Sequence, residues 1–326
     1  MNEQADRGET GYRAGRSGAA FWRVPEPGWL HLTGPDRNDY VQRQTTNDIR
    51  QLQPGRTQLT VLTSGTARIL DVWRLVSEAD ALGVITLPGR GPATARYLQR
   101  RIFFMDQVSV RDASDTLAQF DLLGPAAPDV LAALGLAQAP EPGALIAFEV
   151  EGVEVRVLGP EPALNLGWRL LIPVEAAGTV EARLRQGGAE PLAPDAYELL
   201  RVEAGLPAAG HELTDAYTPL ETGLRAAIAG AKGCYSGQEV IARQINYDKI
   251  TRQLAGLRLD APVTPGATVR VEGRSAGEVT SAVVSPAFGP IALAVMKRPH
   301  FEPGTGIAVA AEGGDVRGVV CGLPFA

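Results

Sequence analysis

The chain has 326 residues but only two cysteines, Cys234 and Cys321. They are too few for a disulfide framework. Two thiols far apart in sequence point to a reducing, cytoplasmic setting. Neither has CxxC spacing, so no zinc site is recognisable, and the chain cannot alone supply four cysteines to a metal–sulfur cluster. The three histidines, His31, His211 and His300, are scattered and lack metal-ligand spacing. A basic excess is also missing: 31 Lys and Arg stand against 37 Asp and Glu, a formal charge of −6. That argues against general nucleic-acid binding, although net charge says little about a single pocket. No run of about 18 apolar residues exists, so no membrane helix is expected. There is no internal repeat. Residues 1–19 are polar and glycine-rich without an apolar stretch, which predicts a flexible leader rather than a signal peptide.

Turn formers are abundant, with 37 glycines and 24 prolines. Trp29-Leu30-His31-Leu32 reads as a strand entering the Gly34-Pro35 turn, with Asp36 as N-cap of a helix containing Tyr40 and Val41. Gln58–Thr63, Ala67–Val76 and Ala81–Leu87 read as an antiparallel meander. Pro92–Phe104 is expected to be a helix and Gln107–Arg111 a strand. Further on, Phe120–Gly124, Ala147–Val157 and Trp168–Ile172 read as strands. Pro128–Leu134, Glu175–Arg185 and Pro194–Glu203 read as helices, with Gly187-Gly188 closing the second. Past residue 251, short apolar runs alternate with turns at Pro265-Gly266, Glu272-Gly273, Gly289-Pro290, Pro303-Gly304 and Gly313-Gly314. This predicts a small antiparallel barrel or sandwich. The fold class is α+β.

The chemistry concentrates in Lys232-Gly233-Cys234-Tyr235-Ser236-Gly237-Gln238-Glu239, which runs on into a predicted helix through Arg243. Glycines let the backbone approach a ligand closely. A cysteine before a helix start, beside a lysine, is favoured as thiolate. A lone cysteine is nevertheless more often a small buried hydrophobe. Polar, glycine-rich surroundings tilt Cys234 toward function, whereas Cys321, in the terminal strand, reads as core.

The segment KGCYSGQEVIAR resembles the signature of YgfZ-type proteins, folate-binding relatives of the aminomethyltransferase (T-protein) of the glycine cleavage system. Arg201-Val202-Glu203-Ala204-Gly205-Leu206-Pro207 resembles the superfamily's R-x-E-A-G-x-P segment. Thr218–Leu224 resembles its P-x-E-x-G-L segment. Leu32–Asp36 followed by Gln42–Asp48 resembles its opening segment, with Arg43 where glycine is usual. The match runs from about residue 28 to the C-terminus. The resemblance implies a three-lobed ring, with a C-terminal barrel closing on two α+β lobes around a folate channel. The expected boundaries are a leader at 1–19 and a discontinuous folate-binding lobe of 20–56 plus 191–250. A middle region of 57–190 and a barrel lobe of 251–326 complete the division.

The resemblance also implies roles. Glu203 matches the glutamate that contacts the pterin. Without the resemblance it reads as a surface or capping carboxylate. A glutamate tail needs cations, and Arg243 and Arg252 are the candidates, each equally readable as a solvated charge. Glu221, in a Pro/Gly-framed segment, reads either as an orienting partner for Lys232 or Arg243 or as a plain loop carboxylate. Tyr235, Gly237, Gln238 and Glu239 of the motif loop are further cofactor-binding candidates, as is Trp29, an aromatic that otherwise reads as core. Asp71 stands in Arg68-Ile69-Leu70-Asp71-Val72-Trp73, where true aminomethyltransferases carry a paired Asp-Asp. It is either the remaining proton-transfer acid or an outward-facing strand residue. Catalytic candidates are therefore Cys234, Lys232 and Asp71, and no metal ligands are expected.

Three functions follow. The first is a cytoplasmic protein that binds tetrahydrofolate or a one-carbon derivative (5-formyl or methylene). It would support assembly or repair of iron–sulfur clusters in client enzymes, including tRNA-modifying ones, with Cys234 as working thiol. The second is an aminomethyltransferase that forms methylenetetrahydrofolate; whether the chain is an enzyme at all stays open. The third is an adaptor with a vestigial folate site.

Overall fold

The computed structural model describes residues 3–325. The chain opens with helix α1 (Glu3–Ser17), strands β1 (Ala19–Arg23) and β2 (Gly28–Thr33), and helix α2 (Arg37–Gln44). The predicted flexible leader is thus corrected from Glu3 onward, its first two residues lying outside the described ones. The reason is local and tertiary. Glu9 and Arg13 pair one helical turn apart, Tyr12 is buried, and Gly11 lets the helix close on the main chain of Pro191.

The meander follows as β3 (Thr57–Thr63), β4 (Ile69–Ser77) and β5 (Ala81–Thr86), then α3 (Gly91–Gln99) and β6 (Ser109–Asp112). These strands and β2 form one sheet in the order β3-β4-β5-β2-β6. Its core holds Leu30, Tyr40, Trp73, Leu75, Leu82 and Leu98. Asp36 sits at the cap position of α2, but its carboxylate accepts the Gln107 N–H at 2.8 Å instead of capping the helix. Helix α3 stops before Phe103 and Phe104, which the sequence placed inside it.

Next come β7 (Leu117–Leu123), α4 (Ala127–Ala133), β8 (Leu145–Val150), β9 (Val153–Leu158), β10 (Trp168–Pro173), α5 (Ala177–Gln186), β11 (Ala189–Pro191) and α6 (Pro194–Glu203). A second sheet has the order β11-β1-β7-β10-β9-β8. The strand expected over Ala147–Val157 is a hairpin, because Glu151 and Gly152 both take positive φ (51° and 80°), the geometry of a tight two-residue turn. Trp29, Val76 and Ile85 of the first sheet pack on Leu117, Leu158 and Leu171 of the second.

The last elements are α7 (Gln238–Asn246) and β12 (Arg252–Leu259), β13 (Thr268–Val271), β14 (Arg274–Ser285), β15 (Gly289–Lys297), β16 (Gly306–Val309) and β17 (Val316–Cys321). The six strands close a barrel in the order β12-β15-β14-β13-β16-β17, around Leu257, Val269, Val279, Ala292, Met296 and Val320. Closure removes the unpaired sheet edges.

The contacts divide the chain into two units. One comprises residues up to Ser64, Leu70–Tyr197 and Ala226–Ser236; the other comprises Gly65–Ile69, Glu198–Arg225 and residues from Gly237 onward. This departs from the expected boundaries. The strand at Gly28–Thr33 pairs with β5, so it belongs with the meander rather than with 191–250. The region 57–190 is shared between two sheets because β7 finds its partners in β1 and β10.

Candidate functional site

The first unit brings two sequence motifs together. Thr45-Thr46-Asn47, after α2, holds the segment that leads to Cys234. Thr46 Oγ1 donates to the Ala227 carbonyl at 2.6 Å, and the Ala229 N–H donates to the Thr46 carbonyl at 3.2 Å. Asn47 Nδ2 donates to the Ala226 carbonyl at 3.2 Å. Lys232 completes the clasp: its ammonium donates to the carbonyls of Gln42, Thr45 and Asn47 at 2.8, 2.6 and 2.6 Å. Thr63 Oγ1 then fixes the Ser236 carbonyl at 2.6 Å.

Lys232 therefore serves as a main-chain clamp, where the sequence cast it as a charge for the thiol. Burial pulls its ammonium down to about 8, since a half-buried charge loses hydration. Tyr235 lies against it, with Nζ 5.3 Å from the ring centroid, and burial pushes the phenol up to about 12. Between these anchors the Cys234 thiol is exposed. Gly237 adopts φ 82° at the N-cap of α7, a left-handed conformation that favours glycine. Gln238 and Glu239 form the first turn. Lys232→Met should cost about 1.5–3 kcal/mol, because charge-assisted bonds vanish and carbonyls lose their donor. Limited proteolysis should then cut faster within residues 226–236; an unchanged digestion pattern would contradict the clamp.

Asp71 is neither outward-facing nor poised alone. It is fully buried. Oδ1 accepts the Val72 and Leu87 N–H groups at 2.9 and 3.1 Å, and Oδ2 accepts Trp73 Nε1 at 2.9 Å and Thr94 Oγ1 at 2.5 Å. The carboxylate ties β4 to the end of β5 and to α3. Burial outweighs these donors and pushes it up to about 6. Its neighbour in the chain, Val72, is buried.

Trp29 is a core residue rather than a ligand platform. Its indole covers Gly83 so closely that a Cβ there would lie 1.9 Å from the ring. Two buried polar contacts escape the sequence, one from β4 to the end of β9 and one between the paired strands β10 and β7. Arg74 is buried and donates to the Gly159 carbonyl at 2.5 Å, and burial pulls it down to about 10. Arg169 grips Asp121 with two bonds of 2.7 and 2.8 Å.

The second unit carries the carboxylates. Glu203, at the end of α6, is buried and accepts Ser285 Oγ at 2.5 Å. Ser285 sits far away in sequence on β14, and no local signal connects the two. Glu221 is corrected in its partner. It holds Arg252 through two bonds of 2.8 and 3.0 Å and lies 3.6 Å from Arg68, rather than meeting Lys232 or Arg243. It also forms a reciprocal cap with Thr218. Arg252 stands over the Tyr217 ring at 5.2 Å. Arg243 is exposed and pairs with Glu239 at 2.5 Å, the geometry of a solvated helical pair.

Among the described residues, no group of three or more His, Cys, Asp or Glu could hold a metal. No described helix is long and apolar enough to cross a membrane.

The chain is 31% identical over 307 residues to a chloroplastic protein of Arabidopsis thaliana named only as a transferase, covering 91% of this chain and 69% of that one. Against the aminomethyltransferase of Pelodictyon phaeoclathratiforme it is 28% identical over 328 residues, covering 96% and 89%. Against that of Halalkalibacterium halodurans it is 30% identical over 331 residues, covering 96% and 88%. The fold matches the crystal structure of the glycine cleavage system aminomethyltransferase T from Bartonella henselae, with a TM-score of 0.86 at 22% identity over 97% of this chain and 89% of that one. The GCVT N-terminal domain model matches residues 5–232, and the glycine cleavage T-protein C-terminal barrel domain model matches residues 252–326. With both models matched in order, and together spanning most of its length, the chain belongs to the glycine cleavage T-protein family.

Proposed function

We propose that this chain is a tetrahydrofolate-binding protein of the YgfZ branch, acting in a reducing cytoplasm to support iron–sulfur cluster assembly or repair in client enzymes, tRNA-modifying ones included. The observation that carries this reading is the exposed Cys234 on a loop clamped by Lys232. A clamped loop holds a thiol toward solvent at little entropic cost, which suits contact with a macromolecular client.

The residues fit a folate. Glu203 is a buried carboxylate beside a hydroxyl, and such an acceptor matches the adjacent N–H donors of a pterin edge. Arg252, already oriented by Glu221, offers a planar cation for a carboxylate tail. Arg243 is a weaker second. Tetrahydrofolate supplies a carrier for a one-carbon unit. The chain's contribution is to bind the pterin through Glu203 and to present the Cys234 thiol, with Tyr235, Gly237, Gln238 and Glu239 shaping its loop.

The aminomethyltransferase reading is favoured by one observation, the name carried by relatives at 28–30% identity. Two features weigh against it. Val72 stands in place of a second acid, and the carboxylate of Asp71 is already met by four donors.

In a strain lacking this protein, Cys234→Ala should fail to restore iron–sulfur enzyme activity, while the purified variant keeps its fold and folate affinity. Full restoration by the variant would remove the thiol. Formation of methylenetetrahydrofolate from an aminomethyl-loaded lipoyl carrier would establish the aminomethyltransferase reading instead.

A further inference from the structure

The turn after α3 shows three consecutive large apolar side chains to water. Phe104 is 98% exposed, Met105 69% and Phe103 68%. The other exposed large apolar residues among those described, Val174, Val240, Tyr247 and Val284, stand singly. Isolated apolar residues on a surface are ordinary, whereas a contiguous group marks an interaction site.

The turn is also held rigid. The Asp106 N–H donates to the Phe103 carbonyl at 2.9 Å, and the Phe103 N–H donates to Asp106 Oδ2 at 3.0 Å. Asp106 Oδ1 accepts Arg43 Nη2 of α2 at 2.7 Å. On one side the Arg101 N–H donates to the Leu98 carbonyl at 2.8 Å; on the other, Asp36 accepts the Gln107 N–H at 2.8 Å. None of these bonds uses the tip side chains. Folding alone gains nothing by fixing them in water, since apolar burial, not exposure, supplies free energy. A turn already fixed in its bound form loses little entropy on docking.

The surroundings are basic. Arg96, Arg100 and Arg101 are exposed, and Arg101 stacks on the Tyr97 ring at 3.6 Å. The acid within the turn, Asp106, is paired with Arg43. This local positive rim belongs to a chain of net charge −6.

We propose that Phe103-Phe104-Met105 is a docking peg for a partner protein whose apolar cleft is rimmed by acidic residues. Phenylalanine and methionine are side chains that anchor interface centres. The basic rim selects an acidic cleft and steers the encounter. A second copy of this chain docked turn to turn would set the arginines against themselves, because a two-fold interface meets its own surface. A bilayer surface fits less well, since the tip carries no Trp or Tyr, the residues enriched where protein meets lipid headgroups.

The test places the photoreactive p-benzoyl-phenylalanine at position 104 of the full chain and irradiates intact cells. The protein recovered in the adduct is purified and titrated against the wild type, Phe104→Asp and Arg100→Glu/Arg101→Glu. Because Phe104 is almost wholly solvated, its substitution leaves the fold intact. The expected result is an acidic partner whose affinity falls about tenfold or more in each variant, as for central interface residues, and falls with added salt. The proposal is overturned by an adduct with lipid, by an adduct between two copies, by no adduct, or by a partner that binds both variants like the wild type.

Discussion

Arg201→Met lowers the stability of the chain by about 3–5 kcal/mol, the cost of leaving a buried charge without its partner. Arg201 is only 2% exposed. Its guanidinium donates to Glu198 Oε2 at 2.7 Å, to Ser281 Oγ at 2.7 Å, to the Leu206 carbonyl at 3.2 Å and to Glu212 Oε2 at 3.3 Å. Glu212, fully buried, also accepts Ser281 Oγ at 2.7 Å and the Ala208 N–H at 3.0 Å. The arginine of the R-x-E-A-G segment thus fastens the end of α6, where Glu203 sits, to β14, which carries Ser285. Urea denaturation followed by circular dichroism checks this. The double variant Arg201→Met/Glu212→Leu should recover much of the loss, because neither charge is then stranded. A single variant within about 1 kcal/mol of wild type would show the network to be dispensable.

The second large effect is a pH dependence from Asp71. Its folded value of about 6 lies above the ordinary aspartate value of 3.8. A carboxyl raised on folding contributes stability that is full below about pH 4 and is lost as pH rises through about 6. The shift corresponds to about 3 kcal/mol. Stability measured from pH 4 to 7 on wild type and Asp71→Asn should therefore diverge by about that amount, the wild type falling relative to the variant. Parallel curves would mean that Asp71 titrates as it does in the unfolded chain.

The elements that could be read from the sequence are those whose signals are local. The barrel was legible because short apolar runs alternate with glycine turns, and α6 because Pro194 opens it and Gly205 ends it. What escaped was set by distant partners. Nothing near Glu203 points to Ser285, and nothing near Glu221 favours Arg252 over the lysine and arginine closer in motif. Helix α3 was expected to run on through Phe104 because Ile102 fits a helical apolar stripe; the Phe103–Asp106 turn, held by Arg43, interrupts it. Of the two acids at β-strand positions, Asp71 and Asp121, alternation allows the first an outward-facing place. Both are buried because each finds several donors that no period reveals.

Folate binding through Glu203, as proposed above, is what the other roles depend on. Its most direct test is calorimetric titration of the purified protein with tetrahydrofolate and its 5-formyl derivative, at neutral pH under anaerobic, reducing conditions. The expected result is saturable binding to the wild type, weakened in Glu203→Ala by about 1–3 kcal/mol, the cost of unmatched buried donors on the ligand. No binding to a folded, monodisperse wild type, or an unchanged dissociation constant in Glu203→Ala, would contradict it.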